Sequence, residues 1–230
     1  MERYNNNRIY SKISLIVSIF IIGLQVAAVV GVFQLWRDTS LVNLMVSFVC
    51  AYIITDFING LVHLYMDNNT NYRSTFGPFI AAFHFHHLKP RYTERHPLIV
   101  YFFESGTKFW LVLYLLILVW MQNQFQMRFE IQFCLTCIGV LSSFAEVSHY
   151  WCHNTKDQKT CVNFLQKHGV LLSKKHHMVH HLSDNRNYAF LNGISDPIIN
   201  IIAHYFYDGY KKNADQHVRS YTGKQTANRT

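Results

Sequence analysis

The chain has 230 residues, of which half are hydrophobic and only 15% are charged, against about 25% charged in ordinary soluble domains. Its formal charge of +8 would suit nucleic acid or an anionic membrane equally well. The basic residues flank apolar runs and accompany no nucleic-acid-binding motif, which excludes a nucleic-acid partner and favours anionic lipid.

Residues 1–12 form a basic amino-terminal segment carrying Arg3, Arg8 and Lys12. An apolar run over about 13–36 follows, long enough to cross a hydrocarbon core of about 30 Å. It exceeds the apolar length of a signal peptide and no small-x-small cleavage pattern follows it, so a retained first span is expected. A second span is expected over 41–66, with Asp56, Asn59 and His63 in its later half. A third, shorter one covers 108–122, with Tyr101, Phe102 and Phe103 extending it as a tilted or interfacial segment. The fourth covers 129–151 and ends near Glu146 and His149. Cys134-Leu-Thr-Cys137 lies inside that run and reads as packing, and five dispersed cysteines do not make a disulfide framework. The stretch from Tyr188 to Tyr207, broken by Asn192-Gly193 and Asp196-Pro197, reads as interfacial, and 208–230 as a loose polar tail. The expected fold is therefore all-α: a multi-pass membrane protein of about four transmembrane helices over residues 13–207.

With a cytosolic amino terminus, every Lys and Arg except Arg37 and Arg128 falls on the cytosolic side. The same topology brings the histidine clusters to that face. There are 14 histidines, grouped as His63-x-x-x-Asp67, His84-Phe-His86-His87 with His96, His149-x-x-x-His153, and His176-His177-x-x-His180-His181. Residues four apart share a helix face, so His63 joins Asp67 and His149 joins His153. The whole set offers more donors than one catalytic zinc requires, since three protein ligands and a water suffice there. Imidazoles with carboxylate support and no thiolate suit iron, although zinc, copper and nickel also take imidazole. The count points to two metals in a histidine-rich cytosolic cap, and iron would add dioxygen activation. Asp56 and Glu146, carboxylates within spans, are expected to orient ligating histidines rather than to ligate. Lys174 and Lys175 read as a solvated face or as contacts for a lipid phosphate. His84, His168, His204 and His217 read as structural or surface residues.

The clusters also carry a resemblance. Asp56-Phe-Ile-Asn-Gly60-Leu-Val-His63 followed by Asp67, Phe79-Ile80, Phe83-x-x-His86-His87-x-x-Pro90 with Thr93 and His96, His149-Tyr-Trp-Cys-His153, and Lys175-His176-His177-x-x-His180-His181 with Tyr188 and Gly193 appear in one order over roughly residues 45–205. In this the chain resembles the Kua/CarF (plasmanylethanolamine desaturase-like) family of membrane lipid desaturases. It departs from the family pattern at Asn68-Asn69, where Trp-Gly is usual, at His84, at Glu104-Ser105-Gly106 and at Glu146. These changes surround the site and bear on the identity of the lipid more than on the chemistry.

The resemblance implies an O2-dependent desaturase with two ferrous ions. Its metal-site candidates are His63, Asp67, His86, His87, His96, His149, His153, His176, His177, His180 and His181, with either of His176 and His177 open as the ligand. It implies a phospholipid acyl or alkyl chain as substrate, the conversion of a plasmanyl lipid to its plasmenyl vinyl ether being one such reaction. No flavin, haem or iron–sulfur motif is present, so an external electron donor of cytochrome b5 or ferredoxin type is expected. The membrane would be the endoplasmic reticulum or a bacterial inner membrane. The rival readings are a hydroxylase on the same centre, a zinc-dependent membrane hydrolase and a metal transporter. The last would spread its ligands through the membrane depth, whereas these crowd one face.

Overall fold

The computed structural model describes residues 8–34, 39–88, 95–153, 160–183, 185–207 and 209. The first seven residues, positions 35 and 36 of the first apolar run, Pro90, Thr93, His217 and the polar tail other than Gly209 lie outside them. Among the described residues the structure is all-helical, without strands.

Three helices are long and apolar enough to cross a membrane: α1 (Arg8–Gln34), α2 (Leu41–Asn68) and α6 (Phe129–His153). Each exceeds the ~20 residues that a bilayer core demands. Ile16, Phe20, Phe33, Val42, Val46 and Val49 point outward from α1 and α2, as lipid contact requires. α2 begins at Ser40, whose side chain accepts the Asn43 N–H at 3.2 Å.

The expected third span is a single helix, and the aromatic segment before it forms a second one. After α3 (Gly77–Leu88) come α4 (Pro97–Ser105) and α5 (Phe109–Gln124), whose axes meet at 86°. Tyr101, Phe102 and Phe103, expected as a tilted or interfacial extension, sit on a helix nearly perpendicular to the span. The bend is wedged against α1. A Cβ on Gly106 would come within 2.3 Å of the Ser14 carbonyl oxygen, so only glycine lets the two backbones approach. Beyond the bend, Leu111, Leu115 and Leu118 of α5 pack on Ile21 and Ala28 of α1. Gln25 of α1 ties in α6 and α4. Its Nε2 donates to the Gly139 carbonyl and to Ser143 Oγ, both at 2.9 Å, and its Oε1 accepts from Tyr101 Oη at 2.9 Å. In lipid these polar contacts have no competition from water.

The short helices gather where α2 and α6 end. They are α3, α7 (Thr160–Lys167), α8 (Lys174–Leu182) and α9 (Asp196–Phe206). Ser173 caps α8 by accepting the His176 N–H at 3.2 Å. The interfacial stretch from Tyr188, expected to be broken at Asn192-Gly193 and Asp196-Pro197, is a helix from Asp196. Before it runs an irregular loop in which Tyr188, Ala189 and Leu191 are fully buried. Asn185, Asn187 and Gly193 take positive φ there, and the asparagines tolerate this better than other side chains. α9 rests on α2 at Gly60, where a Cβ would meet Ile199 Cδ1 at 2.4 Å and Ala189 Cα at 3.3 Å. Its opposite side exposes Ile198, Ile201 and Tyr205, the pattern of an interfacial helix.

Candidate metal centre

Four helices deliver imidazoles to one place, in two adjoining groups. His86 of α3, His149 and His153 of α6, and His177 and His181 of α8 form the first. His63 and Asp67 of α2, His87 of α3 and His180 of α8 form the second. Helix geometry decides the division. His86 and His87 are successive and point about 100° apart, so each serves a different group. His177 and His181, four apart, serve the same one.

In the first group the Nε2 atoms face one another. His86 to His153 is 3.0 Å, His149 to His153 is 3.2 Å, and His177 lies 2.9 Å from each of His149, His153 and His181. An imidazole nitrogen carries at most one proton, so shared protons do not satisfy a nitrogen facing three others. One cation would. Two ligands at about 2.1 Å from an ion and at right angles stand about 3.0 Å apart, the spacing seen here. In the second group Asp67 Oδ2 lies 3.1 Å from His63 Nε2, 3.0 Å from His87 Nε2 and 3.3 Å from His180 Nε2. Asp67 Oδ1 is buried without a hydrogen-bond partner among the described residues, which leaves a second carboxylate oxygen for a cation. The donors present therefore fit two metal ions. The groups adjoin, with the His87 and His181 rings 4.8 Å apart between centroids.

The outer nitrogens fix the tautomers. His63 Nδ1–H donates to the Tyr188 carbonyl at 2.8 Å, and His180 Nδ1–H to the Arg186 carbonyl at 2.7 Å, so each presents a bare Nε2 inward. His84, read as structural from the sequence, holds Asp67 from behind: its Nε2 bonds the Asp67 carbonyl at 2.7 Å while Tyr72 Oη meets its Nδ1. Phe190 stacks on His149 with centroids 4.1 Å apart and packs on His63 at 4.3 Å. Outside the spans, burial and then the neighbouring imidazoles hold His86 and His177 well below the ordinary histidine pKa. His181 is lowered for the same reasons. These rings stay neutral, which is the ligating form.

Two candidates stand apart. His96 is exposed and acts as the N-cap of α4, accepting the Leu98 N–H at 3.3 Å. His176 bonds Asp196 Oδ2 at 2.6 Å, and that hydrogen bond raises its pKa. The choice between His176 and His177 thus falls geometrically on His177. Among the described residues Asp56 has no hydrogen bond to a histidine; it gathers the loop. Its Oδ1 accepts the N–H groups of Leu191, Asn192 and Gly193, and its Oδ2 accepts the N–H and hydroxyl of Ser195. Glu146 reaches toward His149 Nδ1 at 3.8 Å and pairs with Lys108 Nζ at 2.9 Å. Lys108 was expected only to open a span. A charged residue starting an apolar run was the one signal for its buried role, and its partners are distant in sequence.

A cleft of about 360 Å3 runs beside the second group. Asn59, Val62, His63, Met66 and Asn69 line it along one side of α2, a length of about 15 Å at 1.5 Å per residue. Phe76, Phe79, Ile80 and Phe83 make the facing wall, with Lys108 and Glu146 at one end and Asn71 and Ser74 toward the other. Lys174 and Lys175 are exposed on the first turn of α8 and do not line it.

The sequence comparisons agree with this geometry. A profile of the lipid desaturase domain matches residues 52–225, which include every member of both groups. The mouse protein plasmanylethanolamine desaturase 1 is 29% identical over 163 residues, covering 66% of this chain. The chain spans 58% of that relative's length. No solved structure matches it. This membrane protein belongs to the lipid desaturase domain family.

Proposed function

We propose that the protein is an O2-dependent di-iron lipid desaturase acting on an acyl or alkyl chain of a phospholipid. The observation that carries this reading is the pairing of the two donor groups beside an apolar cleft. Two ferrous ions held there would supply the dioxygen-dependent oxidising power that removes two hydrogens from neighbouring carbons, with two electrons from an external donor of cytochrome b5 or ferredoxin type. Zinc would supply no such oxidation, and the all-imidazole and imidazole–carboxylate sets suit iron.

The chain's own residues bind, align and exclude water. Val62, Phe79, Ile80 and Phe83 hold the hydrocarbon against the side of the cleft that carries His63, within reach of the second group. Asn69, Asn71 and Ser74 offer the polar headgroup hydrogen bonds at the opposite end from Lys108. Phe190 shields His63 and His149 from solvent on the loop side. The name of the mouse relative makes plasmanylethanolamine the first substrate to try. The excess of Lys and Arg on one side supports a centre on the cytosolic face, and the membrane in this reading is the endoplasmic reticulum or a bacterial inner membrane.

The test is expression in a host without such an activity, followed by lipid mass spectrometry. A product lighter by two hydrogens, dependent on oxygen and reductant, is expected. A product heavier by one oxygen would mean a hydroxylase. Unchanged lipids from protein carrying two irons and supplied with donor would overturn the desaturase reading.

A further inference from the structure

Lys108 is a charged residue buried to 5% exposure inside a membrane protein, at the 86° bend between α4 and α5. The bend releases it from helical geometry, with φ −96° and ψ 68° at the cap of α5. Its ammonium group then reaches two other helices. It donates to Asn59 Oδ1 of α2 and to the Ser142 carbonyl of α6, and pairs with Glu146 Oε1 of α6 at 2.9 Å. Three acceptors match its three protons. Asn59 adds a direct link between the helices by donating to Ser142 Oγ at 3.3 Å.

This polar layer lies one turn before ligating residues of both groups. Asn59 precedes His63 by four residues, and Glu146 precedes His149 by three. His63 belongs to the carboxylate-containing group and His149 to the all-imidazole group, with ring centroids 6.4 Å apart. α2 and α6 each carry further ligands of their own group, Asp67 and His153. α3 and α8 each give ligands to both groups, whereas α2 and α6 each serve one, so the spacing of α2 and α6 at this level bears on the separation of the groups, and the Lys108 ammonium bonds to both helices.

A buried ion pair is a poor device for stability. Replacing both partners by apolar residues of similar volume is often neutral or stabilising, because the desolvation of two charges disappears with them. An intramembrane ionisable pair at the end of a substrate cleft calls for another role. We infer that the Lys108–Glu146 pair is a positioning device that sets the distance between the two metal groups by clamping α2 to α6. The inference rests on the two-metal reading above. Neither residue needs to touch the metals; they act through the helix turns that carry His63 and His149.

The test uses full-length protein in nanodiscs loaded with two equivalents of ferrous or cobaltous ion. Metal–metal distance is read by X-ray absorption, Tm by thermal unfolding, and kcat and KM by lipid turnover. Lys108→Met combined with Glu146→Leu removes both charges together. The expected result is an unchanged or higher Tm, two metals per chain, an altered metal–metal distance, and kcat lowered by about a hundredfold, the scale of a 1 Å misplacement, with KM little changed. Lys108→Met with Glu146→Gln serves the same purpose should the first pair fail to fold. A wild-type distance with wild-type turnover would overturn the inference, as would a lower Tm with a wild-type distance in the folded protein. A wild-type sample with no metal–metal vector would sink the two-metal reading itself, a failure visible before any variant is made. A metal pair without desaturation in the wild type would sink only the assigned reaction, and the distance in the variant would still test the clamp.

Discussion

Asp56 and His63 lie two turns apart on α2 and are coupled through a loop that neither belongs to. Asp56 gathers four backbone N–H groups from Leu191 to Ser195, and the same loop brings the Tyr188 carbonyl to His63 Nδ1 at 2.8 Å. Asp56→Asn exchanges a charged acceptor for a neutral one with half the accepting oxygens. The loop loosens and His63 loses its fixed tautomer. Outer-shell changes of this kind weaken metal binding by about 10–100-fold, which a metal titration of the purified variant would read directly. Unaltered metal affinity would dissociate the loop from the centre.

The histidines that share one family pattern should separate in their behaviour. His153→Ala or His180→Ala takes a donor from one group each and is expected to lower bound metal and abolish turnover. His96→Ala removes only a helix cap, a loss of about 0.5–2 kcal/mol, and should leave the metal content at the wild-type value. Elemental analysis of the three variants side by side decides the matter; metal loss in His96→Ala would restore it to the ligand set.

Gly106→Ala tests the wedge at the bend. Its new methyl would stand 2.3 Å from the Ser14 carbonyl oxygen, a backbone atom that has no rotamer to escape into. Forced overpacking of this kind destabilises by about 1–3 kcal/mol. A drop in Tm is expected, with loss of turnover to the extent that Lys108 is displaced. An unchanged Tm would mean that α1 and the bend are not in firm contact.

Val62→Trp tests the cleft separately from the metals. Val62 lies one residue before His63 and lines the cleft, so a larger side chain fills space that the hydrocarbon needs. Substrate turnover should fall while two metals remain bound. Retained turnover of the same lipid would move the substrate path elsewhere.

The site was legible in the sequence where it depends on local periodicity. His63 with Asp67, and His149 with His153, follow from the four-residue repeat of a helix; the division of His177 and His181 from His180 emerges only from the packing of α8. The bundle was legible too, since α1, α2 and α6 are long apolar runs. What was not legible depends on distant pairing. Nothing near Lys108 announces that Asn59 and Glu146 will converge on it. His96 shares the family pattern and the composition of its neighbours, yet its backbone starts α4 instead of entering the cap. Asp56 was expected to orient a histidine; the sequence did not announce that it would reach His63 through a glycine-containing loop, whose N–H groups must be answered in a dry interior.

The bend between α4 and α5 has a further effect on the surrounding lipid. With α4 turned aside, α5 as a span by itself would offer 16 residues, about 24 Å, against a core of about 30 Å. A bilayer meets a short wall by thinning around it. Phe109 and Trp110, the first residues of that wall, also line the cleft. Under the proposed four-span reading, a bilayer thinned at this wall would be shallowest beside the cleft, and a lipid there would have the least height to climb before its chain lay against His63.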